Sequence, residues 1–79
     1  MEDIDRNRIA ILRQQYPAGC IVELVSMDDE MAPPRGTKGK VLYVDDTGTI
    51  HVAWANGSTL GVIPGIDMIR KPYEEISLK

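Results

Sequence analysis

Three turn signals crowd into the stretch from Gly36 to Ile69, GTKGKVLYVDDTGTIHVAWANGSTLGVIPGIDMI. They are Asp45-Asp46-Thr47-Gly48, Asn56-Gly57 and Pro64-Gly65. An isolated helix needs roughly 12 residues to repay its nucleation, and the intervals between these signals are shorter. They leave room for strands and nothing else. Thr49 to Ala55 alternates strictly, with Ile50, Val52 and Trp54 on one face and His51 and Ala53 on the other. Asn56-Gly57 reads as a two-residue type I′ hairpin turn with positive φ at both positions. Ser58 to Ile63 then returns, with Leu60 and Val62 as cross-strand partners.

Lys40 to Val44 precedes this hairpin. Its core candidates, Val41 and Val44, are three apart, which requires a bulge or strong bend between them. Cys20 to Met27 forms the first strand, with Val22 and Leu24 inward and Glu23 outward. The Pro64-Gly65-Ile66-Asp67 turn leads to a short last strand, Met68 to Lys71. Between the first two strands lies MDDEMAPPRGTK, Met27 to Lys38, where Pro33 and Pro34 exclude a central strand. A loop of this length in so small a domain is uncommon and often functional.

Residues 3–16 carry a helical pattern. Ile4, Ile9, Ile11, Leu12 and Tyr16 share a broad apolar arc, opposed by Arg6, Asn7, Arg13 and Gln14, although Asp5 and Arg8 intrude. Glu2, Asp3 and Asp5 suit the positive end of the helix dipole and Arg13 the negative end. Pro17 and Gly19 stop the helix. A helix this short must dock on something. It covers its own sheet, pairs with a symmetry mate in a homodimer, or meets another protein.

At 79 residues the chain makes one small domain. A net charge of -3 disfavours unspecific binding to phosphate backbones. Cys20 is the single cysteine, which rules out an internal disulfide and reads as a half-buried strand thiol in a reducing compartment. The N-terminus, MEDIDRNR, has no apolar signal-peptide core. No run of ~18 apolar residues offers a membrane span. The expected setting is the cytoplasm, away from any membrane.

The order of strand, long loop, three-strand meander, one-turn break and short strand resembles an SH3-like barrel from Gly19 to Ile69. The fold class expected is therefore mainly β: a small five-stranded SH3-like barrel (residues 18–71) preceded by an N-terminal helix (1–17) and followed by a polar tail (72–79). At a finer level Tyr16-Pro17, Ser26-Met27-Asp28-Asp29, Ala32-Pro33-Pro34, Gly36-Thr37, Val44-Asp45-Asp46, Ile50-His51-Val52, Trp54 and Asn56-Gly57-Ser58 carry a resemblance to a family of small bacterial domains of unknown function. Such domains occur in phage and conjugative-element proteins, mostly of Gram-positive gut bacteria. The resemblance implies the fold and a mobile-element context, and brings no activity with it.

Catalytic equipment is not legible. His51 is the single histidine and points outward by alternation, so a pair with Cys20 is not expected. No CxxC pair, HExxH or phosphate-cradling glycine run is present, so neither a metal nor a cofactor is expected. Asp28-Asp29-Glu30 and Asp45-Asp46 match no calcium loop. They read either as turn caps or as one acidic recognition surface at a shared rim. Only Tyr43 and Trp54 bring aromatic rings to the barrel. That is too few for a proline-rich peptide groove or a methyl-lysine cage. Trp54 reads as core, with a ligand platform at the groove rim as the alternative.

These features point to a non-enzymatic module that binds a protein. Its candidate surface comprises Met27, Asp28, Asp29, Met31, Pro33, Pro34, Arg35, Asp45, Asp46 and Trp54. The same loop residues equally fit a loop folded back to close the barrel. A nucleic-acid accessory module would instead use Arg35, Lys38 and Lys40 with helix arginines Arg6, Arg8 and Arg13. A structural homodimer paired through the helix is the third possibility.

Overall fold

The computed structural model describes the backbone of residues 2–72 and the side chains of residues 6–72. The tail expected beyond Pro72, and the side chains of Glu2, Asp3, Ile4 and Asp5, lie outside the described residues. A helix, α1 (Glu2–Gln15), precedes strands β1 (Ile21–Ser26), β2 (Lys38–Val44), β3 (Ile50–Trp54), β4 (Gly61–Val62) and β5 (Met68–Arg70). The strands form one antiparallel sheet in the order β4-β3-β2-β1-β5. The protein is mainly β, as the turn spacing requires. Among the described residues no ladder joins β4 to β5, so the sheet stays open at that seam.

The core is the inward side of these strands. Val22, Leu24, Val41, Val44, Ile50, Val52, Trp54 and Val62 are buried, as alternation requires once a bulge separates Val41 from Val44. Each fully buried aliphatic side chain contributes about 1.5–3 kcal/mol relative to exposure. The bulge needed between Val41 and Val44 is present. Val41 pairs with Val52 but Tyr43 pairs with His51, so Leu42 is the extra residue and both Leu42 and Tyr43 face solvent. Gly39 lies inward opposite Trp54, and a Cβ there would stand 2.8 Å from Trp54 Cε3 and 2.5 Å from Val52 Cγ1. The indole occupies the space that this missing side chain leaves.

Two expectations about the second hairpin change. Asn56 does not take positive φ; only Gly57 does, at 95°. Gly57 N donates to Trp54 O at 2.9 Å and Trp54 N to Ser58 O at 2.8 Å. The connection is therefore a three-residue loop ending in a left-handed glycine bulge, not a type I′ pair. The returning strand is also shorter than Ser58 to Ile63. In a regular ladder the Leu60 carbonyl would face Val52, but it accepts the Trp54 indole N–H at 3.0 Å. That bond also settles Trp54 as a core residue, with no free indole donor at a rim.

The helix docks on its own sheet. Ile9, Leu12 and Tyr16, spaced three and four apart, pack against the core cluster. Ile11, placed with them by the sequence pattern, is 52% exposed. At about 100° per residue it stands well outside the narrow stripe that these three define.

Candidate functional site

The turn between β2 and β3 is held by one carboxylate. Asp45 Oδ1 accepts Thr47 N at 2.9 Å, Thr47 Oγ1 at 2.6 Å and Thr49 N at 3.0 Å. Its Oδ2 lies 2.8 Å from His51 Nε2. The Thr47 hydroxyl above all, then His51 and the two amides, holds the Asp45 carboxyl far below the usual carboxylate range. His51 also stacks on Tyr43, with ring centroids 4.4 Å apart and planes 12° from parallel. The register explains this, because the bulge at Leu42 brings Tyr43 directly opposite His51. His51 is thus outward as expected, yet half-buried and fixed on two sides.

The neighbouring carboxylate ties the helix down. Arg13 donates to Val44 O from Nε at 3.2 Å and from Nη2 at 3.1 Å, and Nη2 also meets Asp46 Oδ1 at 3.1 Å. Its main role is therefore this clamp between helix and turn. Asp45 is spent on the fold, while the Asp46 side chain remains almost fully exposed.

The long loop is partly structural and partly open. Pro33 is buried and Met27 packs against the core, so these two belong to the fold. Gly36 N bonds Leu24 O at 2.8 Å and Leu24 N bonds Thr37 O at 2.9 Å, which lays the second half of the loop along β1. Asp28, Asp29, Met31, Pro34 and Arg35 are exposed, Met31 by 74%. Asp29 Oδ1 caps the tip by accepting Met31 N at 2.7 Å. Lys38 and Lys40 point outward at alternate positions of β2, and neither forms an ion pair among the described residues.

The segment that links these loops was not singled out by the sequence pattern. In the β4–β5 turn, Asp67 Oδ2 accepts Ile63 N and Asp67 Oδ1 accepts Asp28 N, both at 2.9 Å. On its other side, Ile63 and Pro64 line a hollow of about 310 Å³ together with Asp46, Thr47 and Gly48. The turn therefore bonds to the long loop and shares a hollow with the β2–β3 turn. It carries three large exposed apolar side chains, Ile63 at 47%, Ile66 at 60% and Met68 at 58%. The Pro-Gly turn signal located this segment, but from sequence Ile63 and Met68 read only as strand ends and Ile66 only as part of the turn.

Cys20 lies just before β1 and is half-buried, and burial pushes its thiol above the ordinary range, which fits an unreactive residue. It makes no contact that would pair it with His51, which is committed to Asp45.

A family model described as a domain of unknown function, DUF4314, matches residues 5–72, covering most of the helix, the whole sheet and every loop discussed above. The chain belongs to that family. No curated protein and no solved structure matches it. Among the described residues, no helix is long and apolar enough to cross a membrane.

Proposed function

We propose that this chain is a non-enzymatic protein-interaction module. Its binding rim combines Asp28 and Asp29 with the exposed Ile63, Ile66 and Met68. The observation that carries this reading is the β4–β5 turn. Three large apolar side chains sit outside on a segment whose backbone is locked by Asp67 and by two bonds to the Ile63 carbonyl, from Ile66 N at 3.0 Å and Asp67 N at 2.8 Å. Clustered apolar groups on a preorganised surface lose little entropy when covered and are a common mark of protein contact. Flanking carboxylates supply the polar rim that fixes orientation.

The imidazole–carboxylate pair of His51 and Asp45 is committed to a turn, which supports a role without chemistry. The resemblance to domains of phage and conjugative-element proteins supports action in the cytoplasm of a bacterium that carries such an element.

Affinity capture from host lysate tests the reading, with wild type beside Ile66→Glu, Met68→Glu and an Asp28→Lys/Arg35→Glu double variant. These sites are exposed, so circular dichroism should show native folding in each. A protein retained by wild type, lost by the rim variants and indifferent to nuclease, then reproduced by direct titration of the purified partner, supports the module. Retention by every variant removes the rim. Loss on nuclease treatment moves the ligand to nucleic acid.

A further inference from the structure

The seam where β4 and β5 fail to meet is a cleft of about 320 Å³, lined by Ile50, Val62 and Ile69 of the sheet and by Leu12 and Tyr16 of the helix. At Tyr16 it continues into a second hollow that adds Arg70 and Lys71. Lys71 Nζ lies 5.1 Å from the Tyr16 ring centroid. Arg70 leaves 66% of its side chain exposed while reaching Glu23 at 3.3 Å. Among the described residues Lys71 has no carboxylate within ion-pair distance. Asp67, the acidic residue lining the cleft, has both oxygens occupied by backbone amides. Among the described residues β5 pairs with β1 on one side only, and no strand pairs with its other backbone edge.

We propose that this cleft receives an extended segment of the partner protein in which an apolar residue is followed by an acidic one; the proposal rests on the protein-binding reading above. The apolar side chain displaces water from the half-buried Leu12, Tyr16 and Ile69. The carboxylate meets Arg70 and Lys71, and the segment's backbone adds to the open edge of β5. Charge complementarity selects this occupant, since the basic end adjoins an apolar lining at a single aromatic ring. A nucleic-acid strand would satisfy the cations and leave the apolar lining unused.

Matched dipeptide amides test it on the full chain by amide chemical-shift titration: N-acetyl-leucyl-glutamate amide, its leucyl-glutamine counterpart, and glycyl-glutamate amide as the control without an anchor. Both leucyl probes should shift Val62 and Ile69. The glutamate form should bind roughly two- to five-fold more tightly, which is the worth of an exposed ion pair. Lys71→Glu should erase or reverse that preference while leaving the free spectrum native. The proposal falls if the leucyl probes leave Val62 and Ile69 unmoved, or if the glycyl control binds as well as they do. It falls equally if those amides respond only to protein concentration, which would make the occupant a second copy. Loss of partner capture by the Asp28→Lys/Arg35→Glu variant, whose sites lie outside the cleft lining, alongside a silent titration would overturn the cleft and leave the protein-binding rim standing.

Discussion

Two acidic loops that look alike in sequence have opposite fates in the fold. In the β2–β3 turn, Asp45 gathers three donors from Thr47 and Thr49 and then His51, and Asp46 receives the helix arginine. In the Met27–Lys38 loop, Asp29 caps a single amide, and Asp28 engages through its backbone N–H while its side chain faces water. The first loop commits the Asp45 carboxylate to the hairpin and sets the exposed Asp46 against the helix arginine. The second leaves its charge outside, next to exposed apolar groups. A carboxylate is available to a partner only where the fold has not already supplied its hydrogen-bond donors.

Six substitutions, at five positions, break or sharpen this contrast. Asp45→Ala should give the largest fall in denaturant midpoint of any polar change in either loop, because four donors lose one acceptor. Asp45 is also the acid-sensitive element. Its folded-state pKa lies below that of the unfolded chain, so its contribution is present above about pH 4 and drains away as the pH falls below that value. Asp45→Asn should flatten the acid limb of a stability–pH profile measured by urea unfolding. An unchanged limb would place the acid sensitivity elsewhere.

Asp67→Ala comes next, at about 1–2 kcal/mol, since two backbone donors lose their partner. It should also loosen the link between the long loop and the β4–β5 turn, read as faster hydrogen exchange at Asp28 and Ile63. Arg13→Ala should cost about 1 kcal/mol, mainly through the Val44 carbonyl. Asp46→Ala should cost no more than ~0.5 kcal/mol, because that ion pair is solvent-screened. A double-mutant cycle showing strong Arg13–Asp46 coupling would refute that division. Asp28→Ala should fall within about 0.5 kcal/mol of wild type while weakening partner capture. A large loss of stability there would make the long loop as structural as the turn.

Most of the strand framework was legible because it rests on local rules. Strict alternation over Ile50, Val52 and Trp54 fixed their face, and the three-residue spacing of Val41 and Val44 demanded the bulge. Neither depends on what packs from a distance. The turn at Asn56-Gly57 was legible in place but not in type, since its geometry depends on Trp54 bonding both Ser58 and Leu60. The helix stripe was read too wide, because Ile11 is apolar and only docking shows which apolar residues touch the sheet.

The candidate surface was legible in half. Asp28, Asp29, Met31, Pro34 and Arg35 are exposed as the sequence reading required, while Asp45 and Trp54 belong to the fold. Ile63 and Met68, at strand ends, and Ile66, inside a turn, were not singled out, because local spacing does not show that their side chains stand exposed.

By itself, then, the sequence determined which segments are strands, where the chain turns and which side chains fill the core, because periodicity and left-handed glycines act over a few residues. Tertiary structure alone decided that Asp45 serves the fold and Asp28 the surface, that Arg13 clamps a helix, and that β4 and β5 leave a cleft. Each of these depends on partners far apart in the chain, Arg13 with Val44 or Asp28 with Asp67, whose meeting no local spacing encodes.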